Sequence, residues 1–310
     1  MEAPVPEFRR YQLHAEGVNA DDLSLVVLRD LCDLLIEGSA RAARLAVEGR
    51  SVARGAQPPW LAAASDLRVV EYRTGSLRMG VAAPTLLSAA PDMFAQQQLF
   101  WAVKPANDTA LDVFLDALDD AAAGSKDSER LDAGILDVIG RAEGLFARGA
   151  TRLTIGKDKG TRHVIDPDAM RSVHDLSAQT PSPRVARVSG VLDVLTYSAR
   201  AFVLRVGHDE KVSLRGVASQ AAFDEMMPLL GKSVVVEGQV AYRPSGNPSR
   251  IEIDKAWLAG DADVVWERLP TQVSGASRTT TVVPDLGVLY GKWPGEEDDE
   301  ALFTALEQLS

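Results

Sequence analysis

The chain has 310 residues, 46% of them hydrophobic and 25% charged, with a formal net charge of −11. That is enough apolar material for packed cores in two or three domains, which excludes wholesale disorder, and the acidity argues against a general affinity for polyanions. No apolar run approaches the ~20 residues of a spanning helix, the start Met1-Glu2-Ala3-Pro4 predicts no secretory signal, and the single Cys32 excludes an internal disulfide or a cysteine-based zinc site. Together these features point to a reducing cytoplasm and no membrane partner.

Charge is spread unevenly. Residues 1–184 carry 21 basic and 26 acidic side chains, residues 185–260 carry 9 and 8, and residues 261–310 carry 3 and 10. Thr180-Pro181-Ser182-Pro183 reads as a linker, because each proline holds the residue before it in extended geometry. A second loop, residues 271–281, is rich in Ser, Thr and Gly. The expected organisation is an N-terminal α+β domain over 1–180, a β-rich domain over 185–260, and a linker with an acidic tail over 261–310.

In the first region, Asn19-Ala20-Asp21-Asp22 supplies capping residues ahead of Leu23, Val27, Leu31, Leu34 and Leu35, which follow helical spacing. Residues 67–72 and 77–81 flank Thr74-Gly75-Ser76 as a strand–turn–strand. Helices are expected over 95–103, 109–122 and 128–148. In the middle one Leu111, Phe114, Leu115 and Leu118 share a face, with Asp112, Asp116, Asp119 and Asp120 toward solvent. Residues 151–155 and 161–165 bracket Gly156-Lys157-Asp158-Lys159-Gly160 as a hairpin.

The middle region has three β-rich runs, at 185–195, 201–206 and 211–217. A helical stretch at 219–230 follows, and then strands at 233–242 and 250–258 around Pro244-Ser245-Gly246-Asn247-Pro248. Val234, Val236, Val240 and Tyr242 alternate onto one face, as do Ile251, Ile253 and Trp257, with Glu252 and Asp254 opposite. Three strands, a helix and two strands resemble an OB-fold, a five-stranded barrel with a helix between its third and fourth strands. In that resemblance Gly190 and Gly238 let long strands bend at barrel corners. The fold class is thus α+β: a mixed α/β N-terminal region, a central five-stranded OB-like barrel, and an acidic tail with a short helix.

The tail runs Gly291-Lys292-Trp293-Pro294-Gly295 into the acidic stretch 296–300, then into a short helix striped by Leu302, Leu306 and Leu309. Acids at a helix start face its unpaired amides. This ending resembles the C-terminal segment of small bacterial antitoxin-type proteins. Antitoxins of nuclease toxins cover basic active-site clefts, which implies a basic toxin or nuclease as partner. Apolar anchors Tyr290, Trp293, Leu302, Phe303 and Leu306 would dock while Glu296, Glu297, Asp298 and Asp299 steer.

Catalytic chemistry finds little support. His163, Asp166, Asp168, His174 and Asp175 include metal-capable side chains, but Asp166-Pro167-Asp168 reads as a helix start. Gly156-Lys157-Asp158-Lys159-Gly160 lacks the spacing of a phosphate-binding loop, and Cys32 lies among leucines as a small core residue. The expectation is a non-enzymatic, protein-binding regulator with no catalytic residue, metal or cofactor. The alternative is a single-stranded nucleic-acid binder using Tyr197, Arg200, Arg205, Arg215, Arg243 and Arg250 of the barrel.

Overall fold

The computed structural model describes residues 7–53, 55–73, 75–94, 107–157, 160–197, 200–207 and 212–260, together with 263, 266 and 268–272. All of these belong to one compact unit, Met1–Ser274. In chain order the elements are β1 (Phe8–Asn19), α1 (Leu25–Glu48), α2 (Pro59–Ala64), β2 (Arg68–Arg73), β3 (Ser76–Pro84), α3 (Leu86–Ala89), α4 (Pro91–Phe94), α5 (Ala110–Ala122), α6 (Ala133–Gly140), α7 (Glu143–Phe146), β4 (Arg152–Lys157), β5 (Arg162–Ile165) and α8 (Pro167–Gln179). They continue with β6 (Arg184–Thr196), β7 (Ala201–Val206), β8 (Val212–Ala218), α9 (Gln220–Met226), a 3-10 turn (Met227–Leu229), β9 (Ser233–Tyr242) and β10 (Pro248–Leu258). The content is mixed α and β, and among the described residues no helix is long and apolar enough to cross a membrane.

The N-terminal layer is a five-stranded antiparallel sheet in the order β2-β3-β1-β4-β5. Strand periodicity divides each strand between two faces. Tyr11, Leu13, Ala15, Leu77, Met79, Leu153, Ile155 and Ile165 turn inward and are buried. The helices pack over that face, with α5 and α8 on the strands and α1 against α5. At the α1–α5 crossing Gly38 meets the Phe114 ring so closely that a Cβ there would lie 2.5 Å from it. Only glycine lets these helices approach to this distance.

The central strand β1 was not expected, although its alternation of Tyr11, Leu13 and Ala15 with Gln12, His14 and Glu16 carries the period of two. The first helix starts later than expected. Ser24 caps it through Val26 N, while Asn19 accepts from Asp21 N and Asp21 from Gly75 N, so those side chains hold turns instead. The helix expected over 128–148 is two shorter ones, because Asp132 caps α6 at Ile135 N and the chain turns at Arg141 and Ala142. Asp112 does not face solvent: it is 5% exposed and forms a capping box with Thr109. The expected helix at 95–103 lies outside the described residues, as does the tail from residue 273 onward.

Strands β6 to β10 form a closed five-stranded barrel in the order β10-β8-β7-β6-β9, with β8 and β10 parallel and the helix after the third strand. This is consistent with the expected OB-like arrangement. Its core is separate from that of the N-terminal layer and centres on Val188, Leu192, Phe202, Leu204, Val236, Val240 and Ile251. Gly190 and Gly238 are required by close approach: a Cβ would fall 2.3 Å from the Arg205 carbonyl oxygen and 2.1 Å from that of Glu252. Pro228 ends α9 early, in a 3-10 turn. A bulge between Ile253 and Lys255 reverses the pleat, so Ala256 is buried and Trp257 turns outward beneath Arg187 instead of joining Ile251 and Ile253.

Candidate binding surfaces

Four arrangements concentrate charge. The first joins the barrel to the loop after α5. Arg215 on β8 and Arg243 at the end of β9 both reach Glu129, at 3.4 and 3.3 Å. Arg243 also donates to the Asp127 carbonyl, Asn247 donates to the Asp127 carboxylate at 2.8 Å, and Ser245 N donates to the Lys126 carbonyl. Hydrogen bonds from Ser245 and Asn247 hold Asp127 below its usual carboxylate range. The arginines border a cavity of about 350 Å³ floored by Leu45, Val113 and Ala117.

Deeper in the same seam, Asp132 accepts from Ser51 N, Ser51 Oγ and Ile135 N, and Arg250 stands 3.6 Å away. Arg250 also donates to the Gly49 carbonyl at 2.7 Å. Its side chain is only 14% exposed. Burial pulls its guanidinium below the ordinary value, against the opposing pull of Asp132 and Glu252. Beside it Arg50 pairs with Glu252 at 3.0 Å. A buried pair of this kind holds parts in register more than it adds net stability.

The third arrangement lies inside the N-terminal layer. Tyr11 Oη meets Thr109 Oγ1 at 2.7 Å, the Thr109 amide donates to Asp112, and Lys157 Nζ stands 2.8 Å from Asp112. Burial raises the Asp112 carboxyl, but bonds from Lys157 and the Thr109 amide outweigh it and hold the group below its ordinary value. Burial pushes the Tyr11 phenol well above its usual range. With every polar end partnered, the cluster fastens the start of α5 to β1 and β4.

The fourth is the outer face of the sheet, where no described helix packs. Registered residues share a face, so Arg68, Ala82 and Arg10 form one row, and Glu71, Gly80, Gln12, Gly156 and Arg162 a second. Arg73, Arg78, His14, Thr154 and Val164 form a third, and Glu16 and Arg152 a fourth. Six arginines thus oppose two glutamates. Arg73 hydrogen-bonds Glu71, which with Gln12 lowers the Glu71 pKa. Arg68 pairs with Asp66 and lies 4.6 Å over the Phe8 ring. Arg10, Arg78, Arg152 and Arg162 have no ion-pair partner among the described residues.

The barrel residues singled out from the sequence fall into two groups, three gathered at the seam and three elsewhere. Arg215, Arg243 and Arg250 face the N-terminal layer, and Arg205 pairs with Asp193 at 3.0 Å. Tyr197 is exposed beside Phe223, and Arg200 sits in the β6–β7 turn at φ 49°. Tyr290, Trp293, Glu296, Glu297, Asp298, Asp299, Leu302, Phe303 and Leu306 lie outside the described residues. His163 pairs with Asp119, Asp166 caps α8, Asp168 pairs with Arg171 and His174 with Glu143, so these side chains are spread over separate partners. No cluster of three or more metal-capable groups occurs among the described residues. Cys32 is half-buried, and burial raises its thiol. Sequence reasoning missed the outer-face arginines, whose shared face exists only once β1 is paired with β3 and β4. Compared with protein-family models, with curated proteins and with solved structures, the chain has no match.

Proposed function

We propose that this chain is a non-enzymatic, protein-binding regulator whose barrel is an OB-type module used for protein contact. Its acidic C-terminal segment recognises a basic protein partner, a toxin or nuclease in an antitoxin-like setting, in a reducing cytoplasm. The observation that carries this reading is the use of the barrel's cations. Arg215, Arg243 and Arg250 are engaged by Glu129, Asp127, Asp132 and Gly49 of the same chain. A barrel whose arginines and β9–β10 loop already hold protein groups favours protein contact over a strand of nucleic acid, which needs such groups free. The tail supports the reading by composition, since Trp293 and Phe303 adjoin the acidic run Glu296 to Glu300.

The test is affinity capture from the native cell, with the partner identified by mass spectrometry, using the intact chain and a Trp293→Ala, Phe303→Ala variant. Burying such side chains in a partner stabilises it by about 1.5–3 kcal/mol each. The variant therefore loses the partner while keeping the parent's melting temperature. Reversing Glu296, Glu297, Asp298 and Asp299 to lysine slows association more than it speeds dissociation. A variant that melts early yet keeps its partner overturns the proposal and makes the tail structural.

A further inference from the structure

The outer face of the N-terminal sheet, on which no described helix packs, is a cationic surface on an acidic protein. We propose that it binds the sugar–phosphate backbone of a single-stranded nucleic acid, independently of the tail and of the barrel. Arg68 and Arg73 stand on β2, Arg78 on β3, Arg10 on β1, Arg152 on β4 and Arg162 on β5, so every strand contributes. All six are exposed. Lys157 of β4 is turned inward to Asp112, leaving arginine as the cation of this face. Arginine offers a planar fork of donors that matches phosphate oxygens two at a time.

Spacing and shape select the ligand. Neighbouring strands lie about 4.8 Å apart, and alternate residues along one strand are on the order of 7 Å apart. The guanidinium groups therefore form a lattice on which successive phosphates of a flexible strand can settle. The middle of the face is floored by small residues, Ala82, Gly80 and Gly156, beside Gln12 and Thr154. No described helix or loop rises from it to enter a duplex groove. Phe8, beside Arg68, supplies one ring at the margin, so recognition rests on charge without base readout.

The chain's net −11 does not cancel this surface. At physiological ionic strength the Debye length is about 8 Å, so acids elsewhere on the molecule are screened from a phosphate lying among these arginines. They do lower the ceiling on affinity, and binding is accordingly weak and salt-sensitive.

The test is fluorescence anisotropy with the full chain and a labelled 20-nucleotide oligo(dT). A dissociation constant in the micromolar range is expected at 50 mM NaCl. With four phosphate contacts, each contributing a slope of about −0.7, binding weakens about 20-fold between 50 and 150 mM. The Arg10→Ala, Arg78→Ala, Arg152→Ala variant should bind at least tenfold more weakly, with a salt slope shallower by about 2, while Arg187→Ala and Arg205→Ala on the barrel change neither. If the triple variant melts early, the single variants Arg78→Ala and Arg162→Ala carry the test, each expected to weaken binding two- to fivefold with an unchanged melt. Absence of binding at 50 mM overturns the proposal. So does equal loss from the barrel variants, or equal binding of a 20-base-pair duplex, of polyglutamate or of phosphatidylserine vesicles.

Discussion

The barrel and the N-terminal sheet each contain five strands, yet they treat their arginines in opposite ways. The barrel closes on itself, and Arg215, Arg243 and Arg250 are taken up by carboxylates and a carbonyl of the neighbouring layer. The described helices pack on one face of the sheet, and among the described residues four of its six outer arginines have no ion-pair partner. Composition gives the reverse impression: residues 185–260 are close to neutral and residues 1–184 are acidic. Net charge over a segment therefore says little about the field at a surface, because strand pairing decides which charges stand together.

The largest effect should come from the two cores. Phe114→Ala under the sheet and Phe202→Ala in the barrel each remove a fully buried ring, at a cost of about 3–5 kcal/mol. Urea unfolding followed by circular dichroism and by tryptophan fluorescence asks whether the two layers melt as one. Coincident curves for both variants mean that the seam couples them, and separate curves break the molecule into two folding units.

Next in size is Arg250→Ala. It leaves Asp132 buried without its cation, and loss of one partner of a buried pair costs about 3 kcal/mol. The denaturation midpoint measures this directly. A change below about 1 kcal/mol would show that Ser51 and the α6 amide satisfy Asp132 without the barrel.

A smaller effect concerns acid. Asp112 has its folded pKa held below the ordinary value, so the stability it contributes is present at neutral pH and is lost as pH falls from about 4 through the folded value. Asp112→Asn should melt below the parent at pH 7, and the gap should narrow toward pH 3. A gap that stays constant would mean the carboxylate charge contributes nothing beyond its hydrogen bonds.

The smallest effect belongs to the outer face. Arg78→Ala or Arg152→Ala should change stability by no more than about 0.5 kcal/mol, because exposed cations add little to folding. Set beside Arg250→Ala, this contrast separates arginines that hold the fold from arginines free for a ligand.

Much of the barrel was legible because its signals are local. Val234, Val236, Val240 and Tyr242 share one face around Gly238, Gly231 closes the helical stretch, and the proline-flanked loop 244–248 separates the last two strands. The exception was Trp257, since a bulge leaves no mark in the alternation until its partner strand is known. The N-terminal layer was less legible. The helix start at Thr109 and the hairpin around Gly156 are local and were found, but the capping box that buries Asp112 was not, and β1 owes its place to strands far along the chain. The paired arginines of the seam and the unpaired ones of the sheet look alike in sequence. What separates them is tertiary pairing.

β1 comes before every other described strand in the chain, yet it ends in the middle of its sheet, with Tyr11 registered against Val81 on one side and Lys157 on the other. During synthesis it must therefore stay available until residue 157 has emerged, with one edge unpaired for most of that time. Contacts of such wide sequence separation slow the search for the native state and expose a strand edge to wrong partners. The charged side chains of Arg10 and Glu16 suit a strand that has to wait, because they keep its open edge soluble and disfavour pairing with another copy of itself. By this account the outer face protects the newborn chain before it serves any ligand.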